Sequence, residues 1–126
     1  MTEFFVQKAI PVNDGSRASS ATVTETETDE PFTLAFLGYG PEAGRRAAHA
    51  YEDAVLALLP DHGARVVYRG CRAEGEDEAL PLEVHLLWFP GRTALTAYLA
   101  DDRRAALRAG FGDVFARTEV VTVEER

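Results

Sequence analysis

The sequence predicts an α+β domain with the element order β-α-β-β-α-β, in which an antiparallel sheet carries its helices on one face. Three observations lead to this prediction. Several short apolar runs rich in Phe, Leu and Val have the length and composition of strands. One long stretch carries apolar side chains at helical spacing. Glycine and proline separate these segments from one another.

The first predicted strand and helix follow one another directly. FTLAFLGYG, residues 32–40, is a buried strand that ends in glycines, and Pro41 suits the first turn of a helix. The helix is EAGRRAAHAYEDAVLALL, in which alanine, tyrosine, valine and leucine lie opposite arginine and acidic side chains. Pro60 and Gly63 end it.

A hairpin, helical segments and a last strand complete the domain. ARVVYRGCR and LEVHLLWF are strands, and the polar EGEDEALP between them predicts a hairpin with a long loop. TALTAYLA is a short helix, and DDRRAALRAG begins another turn or two with Asp101 or Asp102 as its N-cap. RTEVVTVEE alternates and is the fourth strand. This order is the ferredoxin-like arrangement.

The chain divides near Pro31. We predict an amino-terminal arm over residues 1–31 and the α+β domain over residues 32–126. NDGSRASSATVTETETDE nearly lacks large apolar side chains, so we expect a flexible segment, with an edge strand in TVTETETD as the alternative. FFVQKAI, residues 4–10, is apolar enough to add a strand to this subunit or to a neighbour.

The composition limits the partners, compartment and cofactors that we expect for this protein. Valine and leucine occupy both faces of the predicted strands while helices cover one, so we predict a homodimer. A net charge of −8 argues against nucleic acid or an anionic membrane as the main partner. No apolar run has the length of a membrane span, and the first residues contain no basic leader, so we expect a cytoplasmic protein. With one cysteine and no visible set of metal ligands or nucleotide motif, we expect no metal and no cofactor.

Two histidines are candidates for catalysis. Strand alternation places His85 with Glu83 and Leu87 on one face, where a neutral imidazole could move a proton. Its alternative role is that of a core or dimer-face histidine with one hydrogen-bond partner. His49 lies on the first helix near Tyr51 and is the second candidate, with a solvated flank as its alternative.

The second strand offers an anion anchor. Arg65 and Arg69 are expected to share one strand face with Val67 and Cys71, so that both could hold a carboxylate or phenolate. Pairing with acids is the alternative, which we favour for Arg65, whereas Arg69 stays a candidate ligand anchor. Aromatic side chains suit the walls of a cleft for a flat ligand, although most serve in cores. The aromatic candidates are Tyr39, Tyr68, Trp88, Tyr98, Phe111 and Phe115.

The stretches AYEDAVLALLPDHGARVVYRG and VHLLWFPGRTALTAYLADDRRAAL resemble the family of unknown function numbered DUF 1330, within the dimeric α+β barrel superfamily. The resemblance covers residues 32–124. The sequence departs from that pattern at Ala64, where a glycine is usual, and at 102–104, where Asp-Arg-Arg replaces Pro-Glu-Tyr. The residues that match are Tyr51, Glu52, His62, Gly63, Arg65, Arg69, Gly70, Phe89, Pro90 and Tyr98.

This resemblance implies a homodimer whose sheets pack together, with a cleft between sheet and helices in each subunit. Relatives in the superfamily include cofactor-independent monooxygenases, lactone isomerases, haem-handling proteins and non-catalytic proteins, so the fold does not select a reaction. We expect a small cofactor-independent enzyme, an oxygenase, isomerase or cyclase, that acts on an aromatic or polyketide-like molecule. The alternative is a non-catalytic dimer that binds a small ligand or a partner.

Overall fold

A computed structural model describes residues 29–126 of the chain and contains a four-stranded antiparallel sheet with three α-helices. The predicted arm, residues 1–31, lies outside the described residues except for its last three. The elements are β1 (Phe32–Tyr39), α1 (Arg45–Leu56), β2 (Arg65–Cys71), β3 (Glu83–Phe89), α2 (Arg92–Leu99), α3 (Asp102–Phe111) and β4 (Arg117–Val123). Short 3₁₀ turns at Glu42–Gly44 and Leu59–His62 flank α1.

The sheet order is β2-β3-β1-β4, with every neighbouring pair antiparallel. This confirms the predicted ferredoxin-like fold, and the sheet is open rather than closed into a barrel within one chain. In the β1–β3 register Phe36 lies opposite His85 and Leu34 opposite Leu87. Residues paired across an antiparallel ladder project to the same side, so these four define the face of the sheet that the helices cover.

The core lies between that face and the helices. Leu34, Leu87 and Phe89 from the sheet pack against Leu59 and Tyr98, and Phe89 and Leu59 are completely buried. Helix α1 contributes a stripe at the i, i+3, i+4, i+7 spacing that an amphipathic helix requires. Its buried residues are Ala48, Tyr51, Glu52, Val55 and Leu56.

Helix α1 ends at Leu56, before the predicted Pro60, which lies in the 3₁₀ turn that follows. After α1, the 3₁₀ turn ends at Gly63, whose φ of +73° is the left-handed conformation that favours glycine. The segment after α2 is longer than the predicted turn or two, because α3 is a separate helix of 10 residues. Asp101 is its N-cap, and its side chain accepts a hydrogen bond from the Arg103 N–H at 2.8 Å.

The opposite face of the sheet, which we call the open face, has no helix on it in residues 29–126. It carries Ala35, Leu37, Leu86 and Trp88, which the strand registers place side by side, and Tyr68 of β2, which is 55% exposed. No helix in this part of the chain has the length and apolar character that crossing a membrane requires.

Candidate functional site

A cleft of about 890 Å³ opens between the helix-covered face of the sheet and the helices. Strands β1, β3 and β4 form its floor, and α1, α2 and α3 form its walls. Most of the lining is apolar, which suits a flat organic ligand, and a few polar groups converge on it. The polar groups discussed below are Glu52, His85, Tyr98 and Arg104.

His85 lies in the floor of the cleft and is 1% exposed. Its ring stacks on Phe36 at a centroid distance of 4.9 Å, which fixes its orientation. Nε2 is 2.6 Å from Oε1 of Glu83, and Nδ1 is 3.8 Å from Oε1 of Glu52. An ionised carboxylate only accepts hydrogen bonds, so Nε2 is the donor to Glu83, and in the neutral imidazole Nδ1 keeps its lone pair on the side of Glu52.

Glu83 lies behind His85, fully buried, and is held by three partners. Arg69 donates from Nε at 2.9 Å and from NH2 at 2.7 Å to its two oxygens, and His49 Nδ1 bonds Oε2. Burial raises the pKa of this carboxyl, but the hydrogen bonds from His85, Arg69 and His49 outweigh burial and lower the pKa to about 2. Glu83 is therefore a fixed negative charge that orients His85.

Glu52 is the second buried carboxyl, and its environment changes its pKa in the opposite direction from that of Glu83. It projects from the apolar stripe of α1 and is 5% exposed. Burial, followed by repulsion from Glu83, raises its pKa to about 7, although Arg104 and Arg69 act against that rise. Two nearby carboxyls with widely separated pKa values are typical of sites where one group stays charged and the other exchanges a proton near neutral pH.

His49 lies on the far side of Glu83 and is not among the residues that line the cleft. With Nδ1 committed to Glu83, its Nε2 can accept from NH1 of Arg45 at 3.4 Å. The thiol of Cys71 is 3.8 Å from Nδ1. The structure thus makes His49 a partner of the buried carboxylate, at the edge between α1 and β2.

The donor atoms of His49, Cys71 and Glu83 lie within 4.8 Å of one another, close enough to be considered as metal ligands. However, Arg69 already supplies the positive charge at both oxygens of Glu83. Burial, followed by the charge of Glu83, raises the pKa of the Cys71 thiol, which disfavours the thiolate that a metal requires. We therefore assign no metal to this cluster.

The prediction that Arg65 and Arg69 share a strand face is wrong. A β-bulge between Val66 and Tyr68 shifts the β2–β3 register by one residue. Arg65 pairs with Trp88 and lies over its ring at 4.4 Å on the open face, whereas Arg69 pairs with His85 on the helix-covered face. Arg69 is also committed to acids, because its NH1 is 2.6 Å from Asp53 in addition to its bonds to Glu83.

The aromatic candidates fall into three groups. Tyr98 and Phe115 line the cleft. Phe111 is 40% exposed and makes an edge contact with Tyr51, itself a lining residue. The remaining three lie on the open face, opposite the cleft, because strand alternation places them there: Tyr39, Tyr68 and Trp88.

Three polar residues of the site were not chosen as site residues from the sequence. Glu52 had a readable signal, because it interrupts the otherwise apolar stripe of α1 at a position that must be buried. The sequence signal for Glu83 was weaker, because it is only the acid two positions before His85 on the same strand face. Arg104 gave no signal beyond its place in a departure from the expected family pattern.

No protein-family model matches the sequence, and no curated protein is significantly similar to it. Solved structures do match. A protein of unknown function from Rhodopseudomonas palustris aligns with a TM-score of 0.59 and 13% identity over 82% of this chain and 88% of its own. A NIPSNAP family protein of unknown function from Agrobacterium tumefaciens aligns with a TM-score of 0.59 and 13% identity over 75% of this chain and 87% of its own. A protein from Caulobacter crescentus described as a candidate antibiotic biosynthesis monooxygenase aligns with a TM-score of 0.53 and 17% identity over 81% of this chain and 98% of its own. These likenesses show the fold.

Proposed function

We propose that this protein is a small cofactor-independent enzyme that moves a proton at a carbon next to a carbonyl group of an aromatic or polyketide-like molecule. The observation that carries the proposal is the pair formed by Glu52 and His85. Both are buried in the cleft, their side chains approach to 3.8 Å, and Glu83 bonds the far nitrogen of the imidazole. A base that is oriented by a fixed carboxylate, beside a carboxyl that titrates near pH 7, is the arrangement general acid–base catalysis uses.

In this proposal His85 is the base. Nδ1 accepts the proton of the substrate C–H bond, and the electron pair of that bond remains on the substrate as an enolate. The Nε2–H keeps its hydrogen bond to Glu83, whose charge stabilises the imidazolium that forms. Glu52 in its acid form donates to the enolate oxygen.

The enolate then has three fates that match the three expected reaction types. Protonation at another carbon gives an isomerisation, attack on a carbonyl of the same molecule gives a cyclisation, and reaction with O₂ gives an oxygenation. The Caulobacter crescentus neighbour, described as a candidate antibiotic biosynthesis monooxygenase, supports the oxygenase version. All three begin with the same proton transfer, so that step is the one to test.

Hydrogen–deuterium exchange measures this step without knowledge of the natural substrate. We suggest 2-tetralone, a neutral bicyclic aromatic ketone with an acidic methylene, in D₂O under argon, with NMR detection of the methylene protons. The protein should accelerate exchange, and His85→Asn should lower the acceleration by about 10²-fold or more, the usual contribution of a general base. His62→Asn is the matched control, since His62 bonds Asp101 outside the cleft lining.

His49 has a positioning role in this account. It holds Glu83 from the side away from the cleft, so His49→Asn should reduce exchange by less than His85→Asn does. Equal exchange by wild type and a folded His85→Asn variant would remove His85 as the base. No exchange by wild-type protein with 2-tetralone or with other aromatic ketones of similar size would favour the non-catalytic alternative.

A homodimer through the open face is part of the proposal, as is membership of the DUF 1330-like branch of the dimeric α+β barrels. Tyr68 and Val67 are 55% and 53% exposed on the uncovered strand β2, next to the apolar Leu86. A second copy of the chain would bury this surface. Sedimentation should show a dimer that Leu86→Asp dissociates, and a folded monomer at micromolar wild-type concentration would contradict it.

The same open face favours the alternative function, a non-catalytic dimer that binds a small ligand or a partner. Under that alternative the cleft would still bind aromatic molecules, but neither Glu52 nor His85 would affect turnover of any of them. Under either function, the dimer interface would contain Tyr39, Tyr68 and Trp88. The ligand would contact Tyr98 and Phe115. Partners that are nucleic acids or membranes remain disfavoured by the net charge of −8.

A further inference from the structure

The cleft is positively charged on a protein that is strongly acidic. Over the whole sequence 21 acidic residues outnumber 13 basic ones. The cleft side reverses that ratio, with the guanidinium groups of three arginines against two acids, and one of the acids is Glu52, whose pKa of about 7 leaves it partly neutral. The three arginines are Arg92, Arg104 and Arg108. A fourth lining residue, Arg117, places its guanidinium over the Tyr39 ring on the open face, so its charge is not counted with the cleft. A concave apolar site that concentrates one sign of charge attracts ligands of the opposite sign.

Arg104 differs from two of the other arginines in its contacts. Arg108 pairs with Asp113 at 2.5 Å, and Arg117 pairs with Glu119 at 2.7 Å. No carboxylate of residues 29–126 forms an ion pair with Arg104. Its guanidinium lies 4.7 Å from the centre of the Tyr98 ring, and its Nε is buried without a hydrogen-bond partner in the same part of the chain.

A buried N–H without a partner is unfavourable, and a ligand atom that accepts its hydrogen bond would remove that cost. The surroundings of Arg104 also select the shape of the ligand. Tyr98 provides an aromatic wall next to the guanidinium, and its hydroxyl is occupied by the carbonyl oxygen of Val55 at 2.9 Å. Within residues 29–126, the buried donor at this end of the cleft that lacks an acceptor is therefore the Arg104 Nε–H.

We propose that the cleft binds a flat aromatic carboxylate, with Arg104 as the residue that binds the carboxylate and the apolar floor as the surface for the ring. A planar guanidinium matches the two oxygens of a carboxylate, and the aromatic wall beside it suits a ligand whose carboxylate is attached to a flat ring. This inference rests on the proposed function in that it names the substrate class for the same cleft.

Binding of 2-naphthoate and of its neutral isostere 2-naphthamide tests the proposal by calorimetry at pH 7.5. The acid should bind about tenfold or more tightly than the amide, which is the usual effect of a charge-assisted hydrogen bond, and its affinity should fall as salt rises. Arg104→Met should remove the preference for the acid. Arg46→Met is the matched control, because Arg46 is exposed on α1 and does not line the cleft.

The comparison of acid and amide on the wild-type protein needs no variant, so the proposal can be tested even if Arg104→Met does not fold. Equal affinities, no binding of either compound at millimolar concentration, or an unchanged preference in folded Arg104→Met protein would each overturn it. Exchange of 2-tetralone reads the proposed acid–base function separately, because that ketone is neutral. Loss of the acid preference with retained exchange would reject only the carboxylate, and retained preference without exchange would reject only the catalysis.

Discussion

Replacement of Glu52 by glutamine should stabilise the domain above pH 7 and should have little effect near pH 4.5. Burial raises the pKa of Glu52 from 4.5 to about 7 in the folded protein. A pKa difference of about 2.5 units corresponds to about 3 kcal/mol at 1.36 kcal/mol per unit. The folded state binds this proton more tightly than the unfolded state, so the free energy of unfolding falls as the pH rises from 4.5 to 7. Glutamine cannot ionise and avoids this penalty.

Urea unfolding of wild type and Glu52→Gln at pH 4.5, 6 and 8, at one protein concentration, measures the effect. The variant should gain stability relative to wild type as the pH rises, with about 3 kcal/mol as the upper limit at pH 8. A difference between the two proteins that is constant across this range would refute the claim that Glu52 is buried and titrates near neutrality.

Glu83→Gln is the matched comparison, because it changes the other buried carboxyl in the same way. Hydrogen bonds from His85, Arg69 and His49 outweigh burial and lower the pKa of Glu83 to about 2. Its contribution to stability is present above pH 4.5 and is lost as the pH falls toward 2. The substitution should therefore destabilise the protein at pH 8, where Glu52→Gln stabilises it. The same sign for both variants would contradict the roles assigned to the two residues.

Substitutions at three further positions test the structure around the site, all by urea unfolding at pH 7. Arg72→Met should destabilise by about 1–3 kcal/mol, because it removes the buried hydrogen bonds to the carbonyls of Gly40 and Leu80 at 3.2 and 3.0 Å; an unchanged midpoint would show that the loop before β3 does not depend on Arg72. Asp101→Ala should lower the free energy of unfolding by about 1 kcal/mol because the α3 N-cap is lost, whereas Asp101→Asn should retain most of the stabilisation that the N-cap gives. Gly63→Ala should cost about 1–3 kcal/mol because of its φ of +73°, and a neutral result would show that the turn adjusts.

The sequence was informative wherever a regular period decided the outcome. Alternation in β3 predicted correctly that His85 and Glu83 share a face with Leu87, and all three are buried. The apolar stripe of α1 and the turn at Gly63 were equally readable. Composition also distinguished the strands from the helices, so the ferredoxin-like order could be predicted before any contact was known.

The candidate site was harder to predict because its geometry depends on irregular features. The bulge in β2 has no glycine or proline at Val66–Tyr68 to announce it, yet it reverses the faces of the strand before and after it. Arg65 and Arg69 therefore separate, contrary to the period-two expectation. Arg104 lies on a helix whose position over the cleft is set by tertiary packing, and sequence spacing alone does not reveal which of the arginines lacks an acid partner.

The pH dependence of 2-tetralone exchange, compared between wild type and Glu52→Gln, tests the central claim most directly. Glu52 is flanked by Glu83, Arg104 and Arg69, whose effects together with burial give it a pKa of about 7. If its acid form donates to the enolate, wild-type exchange above the buffer background should decline as the pH rises through 7, and Glu52→Gln should be slower below pH 7 and should lack that decline. An identical decline in both proteins, or wild-type exchange that rises through pH 7 as the buffer reaction does, would contradict the account.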